Sequence, residues 1–165
     1  MPKIPILQPG QSYTFADYFI LNFDPEDILA YFGCSLQLQR LNLPRYIGNL
    51  ERLVNLKQRI EESLPLLTLT SEIARREFLI APVLIDLQRG FTQLAVELIA
   101  LDQWTASEQP VLYGAVSTEL IWQFGNLQRQ TKQITQDLNL YRVPADLEEL
   151  LRILVAILSS PSGNL

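Results

Sequence analysis

Residues 71–102, SEIARREFLIAPVLIDLQRGFTQLAVELIALD, carry the longest helical signal in the chain and constrain whatever folds around them. Ser71 suits an N-cap, because its hydroxyl can accept from a free N–H of the first turn. Glu72 then complements the positive end of the helix dipole. Ile73, Ile80, Leu84 and Leu87 recur at helical spacing, which makes one face apolar. From Phe78 to Ile85 every residue is apolar or proline. A helix apolar on all sides is normally buried on several of them. The run is far shorter than the roughly 20 residues needed to cross a bilayer. Pro82 lacks an N–H and is expected to kink the helix without ending it. Gly90 loosens the backbone, and a second helix is expected from Phe91, with Leu94, Leu98 and Leu101 on one face. Gln93 and Glu97 fall one turn apart on its flank.

A chain of 165 residues is expected to form one domain with a sizeable core. Its hydrophobic content of 48% and charged content of 19% are globular rather than disordered values. The net charge of −5 and pI near 4.7 weigh against nucleic acid, whose binders usually present a basic patch to neutralise phosphate. The nearest approach to one is Arg75-Arg76 with Arg89, and Arg40 with Arg45. There is no histidine, which removes Ser-His and Cys-His nucleophilic sites and every imidazole metal site. Cys34 is the only cysteine, so no intrachain disulfide can form. With no histidine to activate it, Cys34 is read as a small buried residue. The opening MPKIPILQPG has no apolar segment of signal-peptide length, and no segment approaches a membrane span. A cytoplasmic protein is expected.

Residues 1–14 hold three prolines and Gly10 and read as an extended arm. Asp24, Pro25, Glu26 and Asp27 open a short helix that Gly33 closes. The aromatic cluster Tyr13, Phe15, Tyr18, Phe19 and Phe23 is expected to pack on the main body rather than to form a ligand platform. LQLQRLNLP alternates and marks a short strand that stops at Pro44. Asn49 starts a helix with Leu53, Leu56, Ile60 and Leu64 on one stripe and a solvated charged face opposite. PVLYGAVST, ELIWQFGNL and QTKQITQDL read as three successive antiparallel strands, with Trp122 and Phe124 on one face. Pro144 opens a last helix with Leu147, Leu150, Leu151, Leu154 and Leu158 inward, and residues 160–165 are a tail. The expected architecture is α+β: four or five helices around a small antiparallel three-stranded meander, formed by residues 15–159.

SEIARREFLIAPVL resembles the first helix of a family of PD-(D/E)xK nuclease-like proteins related to the N-terminal nuclease domain of type I restriction subunits. RGFTQLAVELIALD resembles the helix that follows the active-site strands in that family, and LYGAVST…IWQFG resembles the strands that complete its sheet. The resemblance runs over residues 12–159 and implies a reduced restriction-endonuclease-like core. It also implies a β-hairpin and a third strand between the two helices, carrying a metal-binding Asp and a Glu-x-Lys pair. Here Leu84 is followed by Ile85-Asp86-Leu87 and then by Arg89-Gly90-Phe91, with no room for those strands.

The same subtraction follows from the residues alone. Mg²⁺-dependent phosphate chemistry needs carboxylates for the metal and a nearby cation. The lysines are Lys3, Lys57 and Lys132, and the residues two before them are Met1, Asn55 and Gln130. No Asp-x-Lys or Glu-x-Lys exists, and no catalytic residue, metal or cofactor is assigned. An alternative reading keeps a Mg²⁺-dependent DNA endonuclease built from the residual groups Glu72, Glu77, Asp86 and Gln93. Glu72 and Glu77, five residues apart on a helix, point to different faces and cannot line one metal site. The favoured reading is a non-catalytic remnant whose uncovered helix faces and sheet edge call for a second copy or another protein, with DNA the less favoured partner and no membrane.

Overall fold

The computed structural model describes Leu7 and residues 10–21, 23–63, 72–106, 108–118 and 120–159, with side chains described except at 63 and 72–85. The tail at 160–165 and most of the arm at 1–14 therefore lie outside the described residues. Two short helices come first, α1 (Phe15–Ile20) and α2 (Pro25–Tyr31). Asp17 folds back on Thr14, accepting from its N–H at 2.6 Å and from its hydroxyl at 2.8 Å, which fixes the entry to α1. Gly33, at φ +72°, turns the chain out of α2 in the left-handed region that side chains avoid. Strand β1 (Ser35–Gln39), helix α3 (Leu53–Ser63) and the long helix α4 (Glu72–Trp104) follow. Strands β2 (Val111–Thr118), β3 (Ile121–Gln128), β4 (Gln133–Asp137) and β5 (Tyr141–Arg142) lead into helix α5 (Leu147–Ser159).

The meander is present as β2–β3–β4, but it is only part of the sheet, and the expected three-stranded antiparallel core is corrected to a five-stranded mixed one. β1 adds to the free edge of β4 in parallel, Leu36 opposite Ile134 and Leu38 opposite Gln136. β5 pairs with the start of β3, Trp122 opposite Tyr141. A parallel pairing needs a long crossover, and here it is the whole stretch holding α3, α4, β2 and β3. Nothing in SLQLQ alone announces so distant a partner. The class remains α+β.

A second correction concerns residues 71–102. Two helices broken at Gly90 were expected, and a single helix of 33 residues runs through both Pro82 and Gly90. Gly90 is there for space, because a Cβ on it would meet Val116 Cγ1 at 2.7 Å. Gly125 plays the same part on β3, where a Cβ would meet Phe91 Cε2 at 2.5 Å. These absences let α4 lie close on the sheet. Phe91, Ala95, Leu98 and Ile99 of α4 pack against Leu112, Leu127 and Ile134, with Leu29 and Cys34 closing the cluster.

On the opposite face α5 lays Leu150 and Ile153 against Phe124, Tyr141 and Leu43. The inward stripe of α5 is rotated from the expected one, since Ile153 is fully buried and Leu158 is 81% exposed. The segment between β1 and α3 crosses the same face. Tyr46 N–H donates to the Arg152 carbonyl at 2.9 Å, and the Arg152 guanidinium returns bonds to the carbonyls of Tyr46 and Gly48. Of the aromatic cluster, Tyr18 is buried beside Ile28 and Val96, with Tyr13 packed on it, while Phe15 and Phe23 are each 37% exposed. No described helix is long and apolar enough to cross a membrane.

Candidate functional site

The position of α4 on the sheet sorts its side chains. Leu94 lies over Gly114 and Gly90 over Val116, so α4 runs antiparallel to β2 and close to the sheet edge. Val96 shares a cluster with Tyr18 of α1, which puts that side of the helix inward along the sheet. At about 100° per residue, Asp86, Gln93, Glu97 and Trp104 fall on one flank roughly opposite the buried Ala95, on the side of α4 turned away from the sheet. Two of the residues singled out from the sequence, Asp86 and Gln93, thus share one flank.

Asp86 is exposed. Gln93 is half-buried and donates its amide to Glu97 Oε1 at 2.8 Å. The flank carboxylates Asp86 and Glu97 stand eleven residues apart, roughly 16 Å along the axis, far beyond what one Mg²⁺ with ligands near 2 Å can bridge. Glu72 and Glu77 fall within α4, but their side chains lie outside the described residues. Among the described residues no group of three or more Cys, Asp or Glu side chains could hold a metal ion.

The charged groups that do converge serve other ends. Asp102, its side chain 7% exposed, accepts from Arg129 Nε at 2.6 Å and pairs with Lys132. Arg129 also donates to the carbonyls of Asp102, Thr105 and Gln109. The hydrogen bonds from Lys132 and Arg129 hold the Asp102 carboxyl below the ordinary carboxylate value. The trio ties the end of α4 to the β3–β4 turn. No sequence signal marked it, because its members are 27 and 30 residues apart. Burial pushes the Cys34 thiol up, the direction opposite to a nucleophile.

An open cleft of about 630 Å³ lies on the α4 side of the sheet, between the start of α2, the Leu87–Gln88 turn of α4 and the strands β1, β3 and β4. Its floor is a relay of amides: Gln136 Nε2 donates to Gln123 Oε1 at 3.1 Å, and Gln123 Nε2 donates to the Asp137 carbonyl at 2.8 Å. Leu36, Leu38, Leu138 and Leu140 line the rest, with Asp24 and Glu26 at the rim. No lysine or arginine lines this cleft, so it offers no charge to a phosphate. Its glutamines drew no notice in the sequence, where alternating Gln reads as solvent-facing strand.

No protein-family model, no curated protein and no solved structure matches the chain. The likeness to PD-(D/E)xK proteins therefore stands on the helix and strand segments quoted above, and on nothing else.

Proposed function

We propose that the chain is a non-catalytic relative of PD-(D/E)xK nuclease-like proteins that works as an interaction module, binding a second copy or another protein. The observation that carries this reading is the unbroken path of α4 through Ile85–Gln88, the point at which the resemblance implies the catalytic strands. Two further facts support it. The sequence holds no acidic residue two before a lysine, and the flank carboxylates are too far apart to share an ion. Proteins that present uncovered strand edges tend to have them covered by a partner.

The test is incubation of supercoiled plasmid with the protein and Mg²⁺ or Mn²⁺, beside a Glu77→Ala variant. No metal-dependent nicking by either protein is expected. Nicking by the unmodified chain that disappears with Glu77→Ala would replace this reading with a Mg²⁺-dependent endonuclease built on residual carboxylates.

A further inference from the structure

We propose that the outer edge of β2 pairs with the same edge of a second copy, antiparallel, extending the sheet across a two-fold axis near Gly114. The proposal rests on the interaction-module reading and names its surface and partner. Among the described residues β2 pairs only with β3, and the sheet ends there. Its eight residues, VLYGAVST, contain no charge and no proline, and their register with β3 is unbroken from Val111 to Thr118. Lysines, prolines, bulges and short length are the usual devices that keep an edge from pairing, and β2 has none of them. The other terminal strand, β1, is five residues long and runs straight into Arg40.

Charge at this edge does not oppose a copy of this chain. Two molecules of net charge −5 repel, so their contact belongs where the surface is neutral, and residues 109–118 are uncharged. The side chains also complement one another. In an antiparallel pair, residues directly opposite share a face. A dyad at Gly114 therefore sets Leu112 against Val116 of the second copy on the α4 side. On the α5 side it sets Tyr113 against Ala115 and Val111 against Ser117. Each pairing matches a larger side chain with a smaller one. Leu101, two turns beyond Leu94 on the same side of α4, is 45% exposed. Because α4 runs antiparallel to β2, Leu101 lies toward the Val111 end of the strand, where the arriving copy would cover it.

The test uses the full chain and two double variants, with circular dichroism as the check on folding. By light scattering the unmodified chain is expected at twice the 18.9 kDa monomer mass. Val111→Lys with Ser117→Lys places lysine opposite lysine twice across the dyad, and a loss of at least about tenfold in dimer affinity is expected. Val111→Lys with Ser117→Glu places opposite charges at the same pair of sites and is expected to keep the dimer. Independently of any variant, amides of residues 111–118 are expected to exchange more slowly at high than at low protein concentration. An unmodified chain that stays monomeric to about 100 micromolar overturns the pairing and the self-association part of the functional reading. A dimer that both variants keep or both lose, with concentration-independent exchange in β2, overturns the edge alone and leaves self-association standing. Neither result bears on the plasmid assay.

Discussion

Beneath the middle of α4 the interior is apolar: Phe91, Leu98 and Ile99 against Leu112, Leu127 and Ile134. On the α5 side Phe124, Leu150 and Ile153 share the interior with Asn126, Thr135 and Asp137, all buried on strands whose register turns them to that face. The first face is specified by shape, with glycines opposite Phe91 and Leu94 setting how near the helix can come. The second is specified in part by hydrogen bonds. Asp137, 0% exposed, accepts through Oδ1 from the backbone N–H of Leu41 at 3.1 Å and of Asn139 at 3.0 Å. Those two bonds pin the chain as it leaves β1 and β4, and Arg152 pins the same segment further on at Tyr46 and Gly48. The contrast teaches that dispersion and area hold a regular helix on a sheet, whereas an irregular segment with unpaired N–H groups needs a fixed acceptor.

This contrast can be broken most forcefully at Phe91, which is 1% exposed. Phe91→Ala is expected to cost about 3–5 kcal/mol in urea unfolding, through lost burial and the cavity left over Gly125. A cost near 1 kcal/mol would mean that α4 collapses onto the sheet without it. On the other face, Asp137→Ala leaves two backbone N–H groups without their acceptor, and a loss of about 2–3 kcal/mol is expected. Asp137→Asn keeps an acceptor oxygen and sets an amide where Oδ2 has no partner, so it is expected to cost clearly less. Equal losses in the two variants would show that this face, too, is held by packing.

The smallest effect belongs to Asp102, whose clamp lies at the end of the apolar face. Asp102→Asn is expected to cost about 1–2 kcal/mol at neutral pH, the modest value for a pair with one partner well solvated. Its pH dependence has a fixed sign. The folded carboxyl is held below the usual 3.8, so as pH falls through that value the unfolded chain binds the proton first. The clamp therefore contributes fully above pH 3.8 and is lost as pH drops through the lower folded value. Acid unfolding followed by tryptophan fluorescence should show a shallower limb for Asp102→Asn, and parallel limbs would refute the clamp.

Much of this was legible locally. The compact apolar run VLYGAVST, the Trp122–Phe124 spacing in IWQFGNL and the alternation of QITQD announced β2, β3 and β4, and Trp122 and Phe124 do share a face, as period two requires. Asp24-Pro25 with Glu26 and Asp27 marked α2, whose bounds agree. The α5 stripe was legible only in part, because Ile153 and Leu158 are equally apolar and only their neighbours decide which is covered. Of the candidate residues, Asp86 and Gln93 lie on one flank as their spacing of seven demands, yet periodicity alone could not say that this flank is turned away from the sheet.

What the sequence determined by itself was the set of local ladders and helices, and the absence of any acidic residue two before a lysine. Both depend on residues within a few positions of one another, where hydrogen-bond geometry and side-chain period leave little choice. Tertiary structure alone decided that β1 joins β4 in parallel, that Asp102 meets Arg129 and Lys132, and that α4 continues through Gly90. In each case the partner is distant in the chain. Gly90 shows why this matters: in isolation a glycine weakens a helix, but against Val116 it is the residue that lets the helix reach the sheet.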